Sequence, residues 1–154
     1  MASAWRIVRR PRASSAFTGE GARLYGGRWS SPGLRVVYVS EHQSTAALEM
    51  LVHLVPSAPG EKHKAFHLQW PDELTEHFPT RNLPGGWRAS PPSGATMRIG
   101  DAWVRESRSA VLAIPSAITP ADTNFLLNPE HDDFSCIEIA PAVDFDFDPR
   151  LLRA

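Results

Sequence analysis

Two charged residues lie in sequence contexts that are unusual for ordinary surface residues. Arg28 follows Gly26 and Gly27 and precedes Trp29, within the run GEGARLYGGRWSSPG. Glycines allow tight turns, and an arginine projected from a turn can grip a phosphate or carboxylate with its planar fork. Glu49 lies among mostly apolar neighbours in AALEMLVHL, an unusual setting for a carboxylate. The alternatives are a surface arginine beside a packing tryptophan, and a glutamate at the solvent boundary.

A hydroxyl and an aromatic residue are the next candidates. Ser116 follows a proline at the predicted end of a strand, where its hydroxyl could bind a ligand or cap a turn. Tyr38 lies eleven residues before Glu49, at the end of the strand that leads into the predicted helix of Glu49. The side chains of Tyr38 and Glu49 could therefore meet at one rim.

Other polar residues form weaker patterns. A polar loop is predicted to carry Asn124, Asn128 and His131, for which turn formation is a sufficient explanation. His63 and His67 share one face of a predicted strand but lack a third convergent ligand. The sequence therefore predicts no metal site.

The elements that must position these residues can be read from apolar patterning. Runs rich in β-branched and aromatic residues predict strands at 4–10, 34–40, 63–70, 109–116, 134–140 and 144–149. The last of these alternates with period two, as an edge strand does. Strands outnumber helices and do not alternate with them regularly. We expect an α+β fold, with a mixed or antiparallel sheet as its core and flanking helices.

Two helices and one long connection complete the prediction. The stretch SEHQSTAALEMLVHL predicts a helix with a capping box formed by Ser40 and Gln43 and a stop at Pro56. Residues 95–107 predict a second helix, and residues 71–78 a short helical turn. The segment 79–94 is rich in proline and glycine, so it predicts a long irregular connection of the kind that forms loops and lids.

Composition narrows the class of protein. A chain of 154 residues is the size of one domain, so we expect a single unit over 1–154. Sixteen basic and seventeen acidic residues leave a net charge of -1, which argues against direct nucleic-acid binding. No apolar run has the length of a membrane helix or signal peptide, so a cytoplasmic location is expected. Cys136 has no partner and is expected to be buried in the strand FSCIEIA.

A resemblance connects the separate motifs. The chain resembles the RES domain family, named for an Arg, a Glu and a Ser, which match Arg28, Glu49 and Ser116 in order. The matching segments run over nearly the whole chain: GEGARLYGGRWSSPG, VVYVSE, STAALEMLVHL, AIPSAITPADTNFLLNPEH and FDFDPRLL. Ser30 is a departure, because many members of the family have Asn after the Arg-Trp pair.

The resemblance implies a fold, an activity and a partner. The family is similar in fold to ADP-ribosylating toxins, and its members are toxins of toxin–antitoxin pairs that consume NAD⁺ as substrate without a metal. The antitoxin typically has a helix-turn-helix part and a segment that occludes the active site. The resemblance therefore implies a toxin that cleaves the nicotinamide–ribose bond of NAD⁺ by hydrolysis or phosphorolysis.

The resemblance also implies roles for individual residues. Glu49 would stabilise the charge that develops on the ribose, and Arg28 would hold a phosphate. Ser116 would fix the ribose or the amide, while Trp29 and Tyr38 would offer aromatic faces. Asn128 is a further expected NAD⁺ ligand. The alternatives are a mono-ADP-ribosyltransferase that modifies a protein with the same residues, and a non-enzymatic interaction module.

Overall fold

One curled mixed sheet forms the centre of the molecule. The computed structural model describes residues 1–54 and 60–152. In those ranges the strands are β1 (Ala2–Arg9), β2 (Val37–Ser40), β3 (His63–Trp70), β4 (Thr75–His77), β5 (Val111–Pro115), β6 (Thr123–Leu127), β7 (Glu138–Ile139) and β8 (Val143–Phe145). Their order is β4-β5-β6-β2-β1-β3-β7, and β8 also pairs with β3. The pair β4–β5 is parallel and the other pairs are antiparallel, which confirms the expected α+β class.

Three α-helices flank the sheet in the described ranges: α1 (Glu20–Tyr25), α2 (Gln43–Leu51) and α3 (Gly94–Arg105). The predicted capping box of α2 is wrong, since Ser40 ends β2 and His42 is the residue that precedes the helix. The helix ends at Leu51, and the predicted stop at Pro56 lies outside the described residues. None of the helices described is long and apolar enough to cross a membrane.

The two faces of the sheet pack against different apolar clusters, because side chains alternate along each strand. One cluster includes Val111, Ala113, Phe125 and Leu127. The opposite face packs Leu112, Ile114 and Leu126 against Trp29 and against Trp103 of α3. Helix α3 therefore closes the face that also receives the turn around Arg28.

Three predicted segments were wrong in part. Of residues 71–78, only Asp72–Leu74 form a helical turn, because Thr75–His77 pair with β5 as strand β4. Asn124, which was predicted to lie in a polar loop with Asn128 and His131, lies instead in strand β6, between β5 and β2. Cys136 is exposed and ends a 3₁₀ turn, Asp132–Cys136, rather than lying in a buried strand. His131 starts that turn by accepting a hydrogen bond from the Asp133 amide, 3.0 Å away.

The turn before β2 is joined to the sheet by close packing and hydrogen bonds. Gly26 has a φ of 69°, which favours glycine, and a Cβ on Gly27 would lie 2.6 Å from the Tyr38 hydroxyl. That hydroxyl accepts a hydrogen bond from the Trp29 amide at 3.2 Å and shares one with Ser30 Oγ at 2.7 Å. Ser30 is fully buried. Its hydroxyl therefore fastens the turn that presents Arg28, which accounts for a polar residue at this position.

Helix α3 is fastened to the same turn by its acidic residue and its glycine. Asp101 accepts hydrogen bonds from the Ser31 amide at 2.8 Å and from the Ser31 hydroxyl at 2.6 Å. One residue earlier, Gly100 lies directly against the carbonyl group of Trp29. The turn and α3 therefore form one packed unit.

We expect Gly100→Ala to destabilise the protein strongly, because a Cβ at this position would overlap the Trp29 carbonyl oxygen. Overpacking of this kind typically costs about 1–3 kcal/mol. Gly21→Ala in α1 is the matched control, since its Cβ would meet no atom within 4 Å and alanine favours a helix. Urea unfolding of both variants measures the difference. Equal unfolding free energies for the two variants would contradict the packing.

We also expect Tyr38 to make stability fall at high pH. Burial raises the pKa of Tyr38 to about 12, whereas an unfolded tyrosine has a pKa of about 10. Between these values the unfolded chain loses a proton that the folded protein keeps, so the unfolding free energy falls as pH rises. From pH 9 to 11 the wild type should lose about 1 kcal/mol more than Tyr38→Phe. Urea titrations at both pH values test this, and identical losses would show that Tyr38 is not the cause.

Candidate active site

The carboxylate of Glu49 is the centre of a hydrogen-bonded network. Its Oε1 atom accepts a hydrogen bond from Ser116 Oγ at 3.0 Å and another from Asn124 Nδ2 at 2.7 Å. The Oδ1 atom of Asn124 accepts in turn from Ser40 Oγ at 2.7 Å. Three residues, Ser40, Ser116 and Asn124, thus fix the orientation of one carboxylate.

The strand register explains why these residues meet. Asn124 on β6 lies opposite Ile114 of β5 on one side and Ser40 of β2 on the other. Ser116 directly follows β5, so Ser40, Asn124 and Ser116 lie at the same end of three adjacent strands. Helix α2 begins three residues after Ser40 and carries Glu49 back to that end. The network is therefore a consequence of the order β5-β6-β2.

The Ser116 hydroxyl is committed to Glu49. A serine hydroxyl has one proton to donate and two acceptor positions. Both acceptor positions are used, by the amides of Ile118 and Thr119 at 3.1 Å each. The proton is then available to Glu49 alone, so Ser116 both caps a turn and orients the carboxylate. Asn124 was missed as a site residue from the sequence, since its strand is short and bordered by polar residues.

A large cavity adjoins this network. Its volume is about 850 Å³, within the range of about 300–1,000 Å³ that small-molecule sites occupy. Arg6, Arg28, Tyr38, Glu49 and Asn124 are among the residues that line it. Strands β1 and β2 pair at one position only, Trp5 with Ser40, and side chains of both strands line the cavity. The cavity therefore lies where the sheet splits.

Arg28 presents its guanidinium to the cavity from the turn. Its Nη1 atom donates to the carbonyl oxygens of Trp87 at 2.9 Å and Ala89 at 2.7 Å. Its own carbonyl accepts from Thr96 Oγ1 at 2.6 Å. Among the residues described, neither Nε nor Nη2 of Arg28 has a protein partner. These donors are available for an anion.

Arg6 is a second cation at the cavity that the sequence interpretation missed. Its Nε donates to the Ala16 carbonyl and its Nη1 to the Tyr38 carbonyl, both at 2.8 Å. Burial lowers the pKa of Arg6 to about 10, which leaves the group charged at neutral pH. In the described part of the chain no carboxylate forms an ion pair with it. The sequence signal for Arg6 is the alternation of β1, because Arg6 lies on the same face of the strand as the buried residues Ala4 and Val8.

Of the predicted ligands, Asn128 lies apart from the large cavity, whereas Trp29 lines it but is almost fully buried. The Trp29 side chain is 2% exposed and packs near Trp87, with ring centroids 6.2 Å apart. Asn128 is buried, and its Oδ1 accepts from the Glu130 amide at 3.0 Å. It lines a separate recess of about 250 Å³. The structure therefore brings Arg28, Tyr38, Glu49 and Ser116 together but leaves Asn128 elsewhere.

The acidic, histidine and cysteine residues of the described ranges form no cluster of three or more that could hold a metal ion. His63 is buried against the Phe147 ring, with centroids 5.0 Å apart. His67 instead packs on Trp5, with centroids 4.6 Å apart. The two histidines thus contact different aromatic partners.

Comparison with known proteins gives consistent matches over nearly the whole chain. The family model described as RES domain matches residues 3–148. "Toxin Res" of Yersinia enterocolitica serotype O:8 / biotype 1B is 36% identical over 148 residues, which are 96% of this chain and 97% of the relative. "Prs ADP-ribosylating toxin" of Sphingobium sp. strain YBL2 is 35% identical over 156 residues, covering 98% and 97% of the two chains.

A solved structure matches the fold. The chain is similar to one in the M. tuberculosis MbcT–MbcA toxin–antitoxin complex, with a TM-score of 0.73 and 17% identity. The match covers 98% of this chain and 86% of the other. At this identity the likeness concerns the fold, which agrees with the mixed sheet described above. The family match over residues 3–148 and the relatives at 35–36% identity show that the chain belongs to the RES domain family.

Proposed function

We propose that this RES domain is an NAD⁺-cleaving toxin of a toxin–antitoxin system, with Glu49 as its catalytic carboxylate. The observation that carries the proposal is the hydrogen bonding of that carboxylate. Oε1 is held by two donors, while Oε2 has no hydrogen-bond partner among the residues described. The side chain lines a cavity that also contains two guanidinium groups. This arrangement suits a substrate with a developing positive charge and several negative ones.

The chemistry of NAD⁺ cleavage requires those charges. Breaking the bond between nicotinamide and C1′ of the ribose leaves an oxocarbenium-like centre, as in glycoside hydrolysis. Nicotinamide leaves as a neutral molecule, so no second acid is needed to protonate it. Water then bonds to C1′ and releases one proton, giving ADP-ribose. A fixed carboxylate oxygen near C1′ would stabilise this transition state electrostatically.

The remaining residues fit the rest of the substrate. Arg28 offers Nε and Nη2 to the pyrophosphate, and the buried charge of Arg6 favours an anion in the same cavity. Tyr38 lines the cavity and would provide an aromatic face. Ser116 acts through Glu49 rather than on the ribose, because its proton is already used. In this proposal Asn128, which lines a separate recess, does not contact the substrate, and Trp29 supports the turn.

The relatives support the toxin role and a partner. Proteins at 35–36% identity are named Toxin Res and Prs ADP-ribosylating toxin, and the structural neighbour was solved as a toxin–antitoxin complex. We propose that this chain acts in the cytoplasm and is neutralised by an antitoxin. In the proposal the antitoxin carries a helix-turn-helix part and covers the cavity.

A protein mono-ADP-ribosyltransferase is the second candidate. The name of the Sphingobium relative favours it. The same bond would break, but a protein side chain instead of water or phosphate would bond to C1′. Radiolabelled NAD⁺ in a cell lysate separates the two candidates, because the label would stay on a protein band only if a protein were the acceptor.

We expect Glu49→Gln to keep the fold and to remove nearly all turnover. The amide oxygen of glutamine can still accept from Ser116 and Asn124, while an uncharged NH₂ group replaces the free oxygen. The rate of nicotinamide release should fall by about 10²–10³-fold or more. Glu73→Gln, at an exposed glutamate, is the matched control and should be fully active. Retained nicotinamide release by the Glu49 variant would remove Glu49 from the mechanism.

We expect Arg28→Ala to weaken NAD⁺ binding. Hydrogen bonds to charged groups contribute about 1.5–3 kcal/mol, so the dissociation constant should rise about 10–100-fold. Calorimetry in the Glu49→Gln background measures binding without consumption of the substrate. Arg105→Ala, at an exposed arginine of α3, is the control for loss of one positive charge. An unchanged affinity in the Arg28 variant would exclude Arg28 as the phosphate ligand.

A further inference from the structure

The irregular segment 84–92 holds Arg28 at the cavity. The carbonyl oxygens of Trp87 and Ala89 both accept from Arg28 Nη1, and Ser90 and Pro92 line the cavity beside it. Without these two acceptors the long side chain of Arg28 would have no hydrogen bonds to fix its orientation. Its orientation depends on a segment that begins more than fifty residues later in the sequence.

Trp87 is the residue that anchors this segment. Its ring is partly buried in the apolar cluster of Trp29, Trp103 and Leu112. It packs beside Trp29, with ring centroids 6.2 Å apart and an angle of 38°. Because Trp29 directly follows Arg28, the Trp87 ring and the Trp87 carbonyl contact two adjacent residues of the same turn.

A second tie joins the segment to the other side of the cavity. Arg88 Nε donates to the Ala117 carbonyl at 2.8 Å, and Ala117 follows the serine that orients Glu49. The segment therefore spans from the Arg28 turn to the Glu49 network. In this position it can keep the phosphate site and the carboxylate at a fixed separation.

We propose that Trp87 is a positioning residue that holds the Arg28 guanidinium ready for a phosphate of the dinucleotide. This inference rests on the proposed function for its ligand. Arginine loses much rotational freedom when it binds, and prior ordering of the side chain removes that cost from binding. Trp87 has no contact with substrate in this account. Its effect passes through the main-chain carbonyls to Arg28.

Two substitutions at Trp87 test the inference. Trp87→Ala removes the anchor and should raise the KM for NAD⁺ about tenfold while kcat changes less than twofold. Trp87→Phe keeps an aromatic anchor and should restore most of the wild-type KM. Val104→Ala is the control, because Val104 packs in the same cluster but does not line the large cavity. It should lower the unfolding free energy and leave KM unchanged.

A readout without NAD⁺ separates this inference from the proposed function. The guanidinium signals of Arg28 in ¹⁵N–¹H spectra, assigned by their loss in Arg28→Lys, should show an ordered group in wild type and an averaged one in Trp87→Ala. Unchanged Arg28 signals would overturn the positioning role, whether or not the protein cleaves NAD⁺. A changed Arg28 signal with an unchanged KM would show that the ordering of Arg28 by Trp87 does not contribute to NAD⁺ binding, which would overturn the inference. If Trp87→Ala does not fold, Trp87→Leu replaces it under the same criteria.

Discussion

The Glu49 carboxylate accepts two hydrogen bonds on one oxygen, and the arrangement of three strands and a helix depends on this contact. A carboxylate next to apolar surface is costly unless it is hydrogen-bonded. The two donors, from Ser116 and Asn124, offset that cost and fix the direction of the free oxygen. Asn124 can donate in this direction only because Ser40 holds its other end. Positions in β2, in β6 and after β5 are thereby tied to the position of α2.

The two arginines at the cavity are hydrogen-bonded, but no carboxylate of the described residues neutralises their positive charges. Arg6 and Arg28 both donate to main-chain carbonyls, which orient a guanidinium without neutralising it. Natural proteins depart from complete pairing of buried charge mainly at functional sites. A bound dinucleotide would supply the missing anions. The segment 84–92, packed through Trp87, keeps one of these cations in place, so binding and catalysis depend on different parts of the same wall.

Several parts of the fold could be predicted from the sequence because their patterns are local. The strands around Ile7 and Phe66 and the helix that carries Glu49 follow from apolar runs and from their flanking breakers. The resemblance then selected Arg28, Glu49 and Ser116, which the structure places around one cavity or next to it. Strand β6 was missed because it is short and contains the polar Asn124. The hydrogen-bond partners that explain this residue, Ser40 and Glu49, come from other elements.

The other differences have the same origin. The role of Ser30 follows from the hydrogen bond that its hydroxyl shares with the Tyr38 phenol. Arg6 looked like one of several arginines near the start of the chain, since only tertiary structure brings it next to Tyr38. Cys136 lies in an apolar run, but the turn started by His131 takes its side chain to the surface. Long-range contacts decided each of these positions, and a single sequence does not contain them.

The most direct test of the central claim is a product analysis of the purified wild-type protein incubated with NAD⁺. Separate reactions with and without phosphate would be resolved by chromatography. The account predicts that nicotinamide appears in equal amount to the NAD⁺ that is lost, together with ADP-ribose or its phosphorylated form. Intact NAD⁺ and no free nicotinamide, from a protein shown to be folded, would contradict it.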